Sequence, residues 1–195
     1  MLKIIKYPHK ALRKKARPVK QITAQIKQFS QDLLSTLNPE TGESLGVGLA
    51  ASQVNKPLRI FVLKMPASTQ GGGPASPTNG PDDKFEIIIN PRILKSSKKM
   101  FSSLPEKQQF LEGCLSFPNY YGFVDRPVKI KVTYQTINGL NKQKTLTLPH
   151  SIYFQHEVDH LNGILFIDYI KKNKEHVYIA DKKGKLSLVT DNPFK

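Results

Sequence analysis

The sequence is poor in cysteine and has no long apolar run. Its 195 residues include one cysteine, so no disulfide can form within the chain, and we expect a reducing compartment. No segment is long and apolar enough to cross a membrane, and residues 1–6 lack the apolar core of a signal peptide. These absences exclude a disulfide-rich secreted domain and predict a cytoplasmic protein that makes no membrane contact.

Acidic residues are also scarce. The chain has 15 Asp and Glu against 30 Lys and Arg, which gives a formal net charge of +15. The first twenty residues hold eight basic side chains and no acid. Such an excess attracts polyanions in a salt-dependent manner, but a well-solvated surface explains it equally well. No basic–aromatic pattern typical of nucleic-acid modules is present, so we expect no sequence-specific nucleic-acid binding.

The most informative segment that is present is the HExxH motif His156-Glu157-Val158-Asp159-His160. Residues four apart lie on one face of a helix, so both histidines can point at one metal ion. Glu157 then lies beside that ion as a general base for metal-bound water. Hydrogen-bonded core histidines or a solvated helix face are the alternatives. The apolar residues before the motif predict a buried helix, and three buried ionisable groups favour a metal.

The third metal ligand does not follow from the patterns of zinc proteases. Phe166 stands where the pattern HExxHxxGxxH needs a third histidine, and Glu175 and Asp181 lie in a lysine-rich tail. The remaining candidate is Cys114, in Glu112-Gly113-Cys114-Leu115-Ser116. A thiolate and two imidazoles form a tetrahedral site with one open position. The alternative for a lone cysteine is a small buried apolar residue.

A third motif is the small-residue run Gly46-Val47-Gly48-Leu49-Ala50-Ala51-Ser52-Gln53. Its glycine spacing differs from that of a dinucleotide-binding loop, and no GKS or GKT follows, so it does not indicate a phosphate loop. By itself the pattern predicts a glycine turn that enters a short helix between Gly48 and Val54.

In this order, GVGLAASQ, EGCLS and QHEVDH resemble the three motifs of the peptide deformylase family. The similarity extends to the amino-terminal segment from Ile4 to Lys15, to Ile88-Ile89-Asn90-Pro91 and to the residues after His160. It covers about residues 1–170. The resemblance implies a metallohydrolase that removes the formyl group from the N-terminal formyl-methionine of nascent polypeptides.

The resemblance also assigns catalytic roles. The metal ligands would be Cys114, His156 and His160. Glu157 would take a proton from the metal-bound water and deliver it to the departing amine. The Gln53 amide and the backbone N–H of Leu115 would stabilise the oxyanion. The family implies Fe²⁺ as the working metal, while the donor set itself also suits Zn²⁺, Ni²⁺ or Co²⁺.

For the substrate, the resemblance implies an extended nascent peptide that lies along Val47 and Gly48 as an added strand. The methionine side chain would occupy an apolar slot beside Val47, Leu115, Ile152 and Tyr153, although ordinary core packing explains these residues equally well. Because nascent chains emerge from the ribosome, whose surface is RNA, the basic surface predicts a transient ribosome association.

The expected fold class is α+β, with antiparallel β-sheets packed around a buried central helix that carries HExxH. The chain 1–195 is expected to form a single domain. Apolar residues at helical spacing predict a helix that ends before Asn38. Strands are predicted at Arg59–Lys64, Phe85–Asn90, Val128–Thr136 and Gln143–Leu148. Asn138-Gly139 predicts a hairpin between the last two strands.

Three regions depart from the family pattern. Residues 65–84 are rich in Gly, Pro, Ser and Asn and predict a mobile insertion between two strands. The basic tail, residues 171–195, has a strand-like segment from Leu186 to Thr190, so the helical ribosome anchor of many bacterial members does not carry over. Tyr121 replaces a basic residue that shapes the substrate cleft of some relatives, which predicts a different cleft polarity.

Two alternative functions stay open at this level. One is a metallopeptidase, against which Cys114 argues because it stands in place of a third His or Glu. The other is a non-catalytic ribosome- or RNA-binding protein on the same fold. The presence of the ligands, Glu157 and Gln53 argues against that loss of catalysis.

Overall fold

The computed structural model describes residues 1–38, 46–66, 84–190 and 194. Among them, two antiparallel sheets enclose a buried helix, as the α+β prediction requires. The helices are α1 (Ala24–Leu37), α2 (His150–Asn162) and α3 (Phe166–Asn173). The strands are β1 (Gly48–Ala50), β2 (Ile60–Met65), β3 (Lys84–Ser96), β4 (Glu112–Cys114), β5 (Phe117–Gly122), β6 (Ile130–Gln135), β7 (Asn141–Leu146), β8 (Val177–Ala180) and β9 (Leu186–Leu188).

The first sheet has the strand order β1-β2-β3-β6-β7, with antiparallel neighbours throughout. All four strands predicted from the sequence lie in it. Residues 137–140 form the turn of the β6–β7 hairpin, where Gly139 has φ +81°, a conformation that favours glycine. The hairpin predicted at Asn138-Gly139 is therefore confirmed.

Helix α1 covers one face of this sheet. It begins at Thr23, whose side chain accepts a hydrogen bond from the Ile26 N–H, and it buries Leu33 and Leu37 against β2. The helix ends at Leu37, before its cap residue Asn38, as predicted.

Helix α2 packs against the other face and carries the HExxH motif. Its apolar residues Phe154, Val158 and Leu161 are buried against the sheet. Gly163 ends the helix at φ +74°, and a Cβ there would lie 2.4 Å from the carbonyl oxygen of Arg13. Both the left-handed backbone and this close approach require glycine at the end of the helix.

The second sheet has the order β4-β5-β8-β9 and was largely missed by sequence reasoning. Helix α3 packs on one of its faces, where Ile170 and Val177 are buried. Strand β9 falls within the tail segment that was predicted to be extended. The described part of the tail therefore continues a sheet after α3 ends at Asn173.

Two predictions need comment. The short helix predicted from Gly48 to Val54 is wrong in its first half, because Gly48–Ala50 pairs with β2 as a strand and only Ala51–Val54 forms a 3₁₀ turn. Sheet pairing outweighs the helix propensity of alanine here.

The predicted insertion connects Met65 and Lys84, which pair across the β2–β3 hairpin. Its residues 67–83 lie outside the described residues.

Candidate metal centre

Strand β4 and helix α2 bring Cys114, His156 and His160 together. One ligand atom from each side chain lies within 4.8 Å of the other two. The Sγ of Cys114 lies 3.2 Å from Nε2 of His160. The one-turn spacing on α2 supplies the two imidazoles, and the end of β4 supplies the thiol. The three residues that the sequence predicted as ligands therefore form one cluster.

His156 is held in a fixed orientation by Glu112. The Nδ1 atom of His156 lies 2.9 Å from Oε2 of Glu112. An ionised carboxylate only accepts hydrogen bonds, so Nδ1 is the donor and Nε2 is the ring nitrogen left to face a metal, which would displace any proton there. Burial alone would lower the pKa of His156, but the neighbouring Cys114 and Glu112 raise it well above its ordinary value.

The donor set fits a divalent metal of the iron-to-zinc series. Two nitrogens and one sulfur in a tetrahedral arrangement leave one position for water or substrate. His160 is 1% exposed, and within the described part of the chain its Nδ1 and the Oε2 of Glu157 are buried atoms without a hydrogen-bond partner. Buried polar atoms of this kind are rare, and here both belong to the HExxH motif.

The carboxylate of Glu157 lies between α2 and the edge of β1. A Cβ at Gly48 would lie only 2.4 Å from Oε1 of Glu157. Glycine at this position is therefore required for the carboxylate to reach the cleft. Burial raises the pKa of Glu157 to about 7, although the charge of His156 opposes the shift. A carboxyl group with this pKa can both accept and donate a proton near neutral pH.

Gln53 lies behind the cysteine. Its Oε1 accepts a hydrogen bond from the Ala50 N–H at 2.8 Å, which orients the amide. Its Nε2 donates to the hydroxyl of Ser116 at 3.2 Å and lies 3.5 Å from Sγ of Cys114. The amide N–H groups thus point at the cluster. In addition, the Lys6 ammonium donates to the carbonyl of Leu115 and fixes this turn beside the cysteine.

A buried charge network surrounds the cluster, and its central residue, Arg126, was not found from the sequence. The guanidinium donates two hydrogen bonds to Glu112 and one, at 2.7 Å, to Asp159. Burial would raise the pKa of Glu112, but the charge of Arg126 and hydrogen bonds from His156 and Arg126 lower it to about 2. Glu112 therefore stays ionised and keeps His156 oriented.

The cluster opens into a cleft of about 540 Å³ between the two sheets. Of the ten predicted site residues, His160 is buried behind the cleft. The other nine line the cleft: Val47, Gly48, Gln53, Cys114, Leu115, Ile152, Tyr153, His156 and Glu157. The roles assigned to these residues stay predictions, but the structure places all of them at one site.

The edge of β1 faces this cleft. Gly48 is opposite Leu63 in β2, and the Lys64 N–H donates to the Val47 carbonyl at 2.8 Å. In an antiparallel ladder this pattern makes Gly48 and Leu63 a non-hydrogen-bonded pair. The N–H and C=O of Gly48 therefore point away from β2 and into the cleft. Strand β4 is the edge of the second sheet and lines the opposite wall.

Comparison with known proteins identifies the family of this chain. A sequence model of the family described as polypeptide deformylase matches residues 1–176. The chain belongs to the polypeptide deformylase family. Family membership supports the predicted hydrolase activity that removes formyl groups from nascent peptides, and solved deformylases confirm the α+β fold.

Individual deformylases match most of the chain. A peptide deformylase of Bradyrhizobium sp. (strain ORS 278) is 35% identical over 173 residues, covering 88% of this chain and 87% of the relative. A peptide deformylase of Brucella suis biovar 1 (strain 1330) is 35% identical over 180 residues, covering 92% of this chain and 90% of the relative. The crystal structure of the Thermotoga maritima peptide deformylase superposes with a TM-score of 0.67 at 32% identity. The match covers 87% of this chain and 97% of the Thermotoga chain.

Metal binding is a shared property of deformylases, and the cysteine–histidine cluster is consistent with it. None of the described helices is both long and apolar enough to span a membrane.

Proposed function

We propose that this deformylase cleaves the formyl amide of an N-terminal formyl-methionine with Glu157 as the proton carrier beside a metal held by Cys114, His156 and His160. The observation that carries this proposal is the placement of the Glu157 carboxylate. It lies against the open edge of β1, at Gly48, on the same helix as the two histidine ligands. A peptide bound at that edge brings its terminal amide to the carboxylate.

The metal, when bound, polarises a carbonyl and makes water a nucleophile near neutral pH. Ferrous iron is our proposed working metal. Thiolate and imidazole donors are compatible with Fe²⁺ and equally with Zn²⁺, Ni²⁺ or Co²⁺, so the donor set supports the whole group. Glu112 supports the site by holding His156 through Nδ1.

Glu157 is proposed to move the proton. The carboxylate takes a proton from the attacking water and returns it to the amine that leaves. A pKa of about 7, raised mainly by burial, suits both halves of this transfer. The buried Oε2 atom has no hydrogen-bond partner among the described residues, so its acceptor capacity is not used by another group there.

The oxyanion is proposed to accept hydrogen bonds from the Gln53 amide and the Leu115 N–H. The Nε2 of Gln53 that lies 3.5 Å from Sγ of Cys114 is directed at the cluster. Because Oε1 of Gln53 is bound by the Ala50 N–H, the amide cannot flip without losing that bond. Such fixed donors stabilise developing charge without reorganisation.

The peptide is proposed to bind as an extended strand between the two sheet edges. The outward N–H and C=O of Gly48 are suited to pair with one residue of the substrate. Val47, Leu115, Ile152 and Tyr153 lie on the cleft wall and would form the slot for the methionine side chain. Main-chain pairing recognises a peptide without reading most of its sequence, as nascent chains require.

We also propose that the enzyme works in the cytosol and meets the ribosome transiently through its basic surface. The net charge of +15 supports this electrostatic attraction. Co-sedimentation with ribosomes that falls steeply between low and moderate salt would support the proposal. Absence of ribosome binding at low salt would contradict the proposed association.

The experiment for the catalytic proposal is formate release from a short formyl-methionyl peptide. The protein is purified without oxygen and loaded with Fe²⁺, and Glu157→Ala and Glu157→Gln are measured beside it. We expect both variants to lose about 10²–10⁴-fold in kcat, the usual contribution of general acid–base catalysis, while each keeps one metal per chain. Loss of the metal in both variants would show instead that Glu157 supports the site structurally.

A second variant tests the ligand assignment. Cys114→Ser is expected to lower the metal content after dialysis, because a neutral hydroxyl is a much poorer ligand than a thiolate. Unchanged metal content would contradict the Cys-His-His site, whatever the activity.

A further inference from the structure

The second sheet carries a row of apolar side chains that begins at the cleft and ends at the protein edge. Tyr121 of β5 is opposite Tyr178 of β8, and Tyr178 is opposite Leu188 of β9. Directly opposite residues in an antiparallel sheet project to the same face. Ala180 and Leu186, which are also opposite each other, lie on that face two residues along.

This row lies on the face of the sheet turned away from α3. Gly122, the neighbour of Tyr121, faces the helix, since a Cβ there would meet Cδ1 of Ile170 at 2.1 Å. Val177, the neighbour of Tyr178, is buried in the same cluster as Ile170. Side chains alternate between faces along a strand, so Tyr121 and Tyr178 project to the opposite side.

The far end of the row is open to solvent. Leu186 is 44% exposed and Leu188 is 50% exposed. Contiguous apolar patches on a protein surface mark binding sites when they are large, and here two exposed leucines extend the row that Tyr121 and Tyr178 begin. No charged residue lies on this face of β8 or β9, because the lysines of the hairpin fall at its turn, residues 181–185.

The near end of the row is continuous with the substrate cleft. The Tyr121 ring lies over Gly113 of β4, where an added Cβ would be 2.6 Å from Cε1 of the ring. Both residues line the cleft. Three strand spacings of about 4.8 Å separate β4 from β9, so about four to five extended residues cross the face.

We propose that this face, formed by Tyr121, Tyr178, Ala180, Leu186 and Leu188, binds the apolar part of the nascent chain that follows the residues in the cleft. The inference rests on the proposed binding of an extended peptide along Gly48. The occupant is the substrate itself, because a polypeptide that leaves the cleft beside Gly113 meets Tyr121 first. The enzyme then favours chains with apolar residues at about positions four to eight.

The test compares three formylated peptides on the loaded enzyme. One is a tripeptide, and two are twelve-residue peptides with the same first three residues. Positions four to eight are Leu and Phe in one long peptide and Ser and Gly in the other. We expect kcat/KM to be about fivefold higher for the apolar tail, through KM, as burial of two half-exposed leucines would give.

The variant L186S/L188S is expected to remove this preference and to leave kcat and KM for the tripeptide unchanged. The matched control is Leu140→Ser, since Leu140 is 66% exposed in the β6–β7 turn of the other sheet. This control is expected to keep the preference. Tripeptide turnover confirms in the same experiment that the double variant is folded.

Retention of the preference by L186S/L188S would overturn the inference, and so would either of two further results. The first is equal kcat/KM of the native enzyme for the apolar and polar tails. The second is a dimeric mass for the native protein that becomes monomeric in L186S/L188S, because a second copy would then cover the face. Failure of tripeptide turnover would instead count against the proposed catalytic site, so the two failures are distinguishable.

Discussion

Glu112 and Glu86 are two carboxylates with similar partners in different surroundings. Glu112 is held by Arg126 and His156, and its side chain is 5% exposed. Glu86 is held by two lysines and the Tyr134 hydroxyl, and its side chain is 20% exposed. In both carboxyl groups burial would raise the pKa, and the partners lower it below the ordinary value.

The difference lies in what happens when a partner is removed. Water cannot replace a partner of Glu112, so a change there leaves a charge that is neither solvated nor paired. Glu86 lies near the start of β3, and its partner Lys142 is 45% exposed although Lys144 is 12% exposed. Ion pairs that are partly open to solvent contribute little. We therefore expect the same chemical change to have large effects near the metal cluster and small effects at Glu86.

The largest effect is expected for Arg126→Met. The change removes the guanidinium that pairs with both Glu112 and Asp159, while His156 stays beside Glu112. Leaving buried carboxylates without their partner costs about 3–5 kcal/mol. Urea denaturation of the metal-free protein measures this loss. A loss below 1 kcal/mol would mean that water reaches the network, and the contrast with Glu86 would fail.

The next largest effect is expected for Glu112→Gln, read out as metal affinity. The amide lacks the negative charge that holds the Nδ1–H of His156, and loss of such a support typically weakens metal binding by about 10–100-fold. Competition with a chromophoric chelator for Zn²⁺ measures the change directly. Glu86→Gln is the matched control and should bind Zn²⁺ like the native protein; a similar loss in both variants would indicate general unfolding.

Arg126 and Glu112 also show which contacts could not be predicted from the sequence. The two histidines and Glu157 could be predicted as one site because they lie within five residues of one helix, where helix spacing alone brings them together. Arg126 is 14 residues from Glu112 and 33 from Asp159, and no local pattern marks a contact at such distances. Its position becomes apparent only when the second sheet has formed beside α2.

The missed strand β5 has a similar cause. Its residues include Pro118 and Asn119, and Asn119 adopts φ +67°. These residues favour turns, so the sequence indicates a loop. The strand forms because β4 and β8 pair with it on either side. In the first sheet β2, β3, β6 and β7 were predicted, whereas β1, which has three residues, was predicted as the start of a helix.

A smaller effect is expected for Tyr134→Phe, on the Glu86 side of the comparison. The hydroxyl donates to Glu86 at 2.7 Å, while the ring is buried in the core. Phenylalanine keeps the ring packing and removes one hydrogen bond to a charged group, which costs about 1–3 kcal/mol. Because the lysines still pair with Glu86, we expect a loss of unfolding free energy at the lower end of this range, measured by thermal or urea unfolding. A loss as large as that of Arg126→Met would show that Glu86 is as dependent on its partners as Glu112.

The smallest effect is expected for Glu86→Gln, and it should depend on pH. Burial would raise the pKa of Glu86, but the lysines and Tyr134 lower it overall. A carboxyl group whose pKa is lower in the folded state stabilises the fold above its unfolded pKa, and this contribution disappears as the pH falls through the folded pKa. For a partly exposed pair the contribution is about 0–1 kcal/mol. The difference in unfolding free energy between native protein and variant should therefore be present at neutral pH and vanish in acid below the ordinary glutamate pKa. Urea titrations at several pH values measure it, and a difference that grows toward acid would reverse the sign and contradict the lowered pKa.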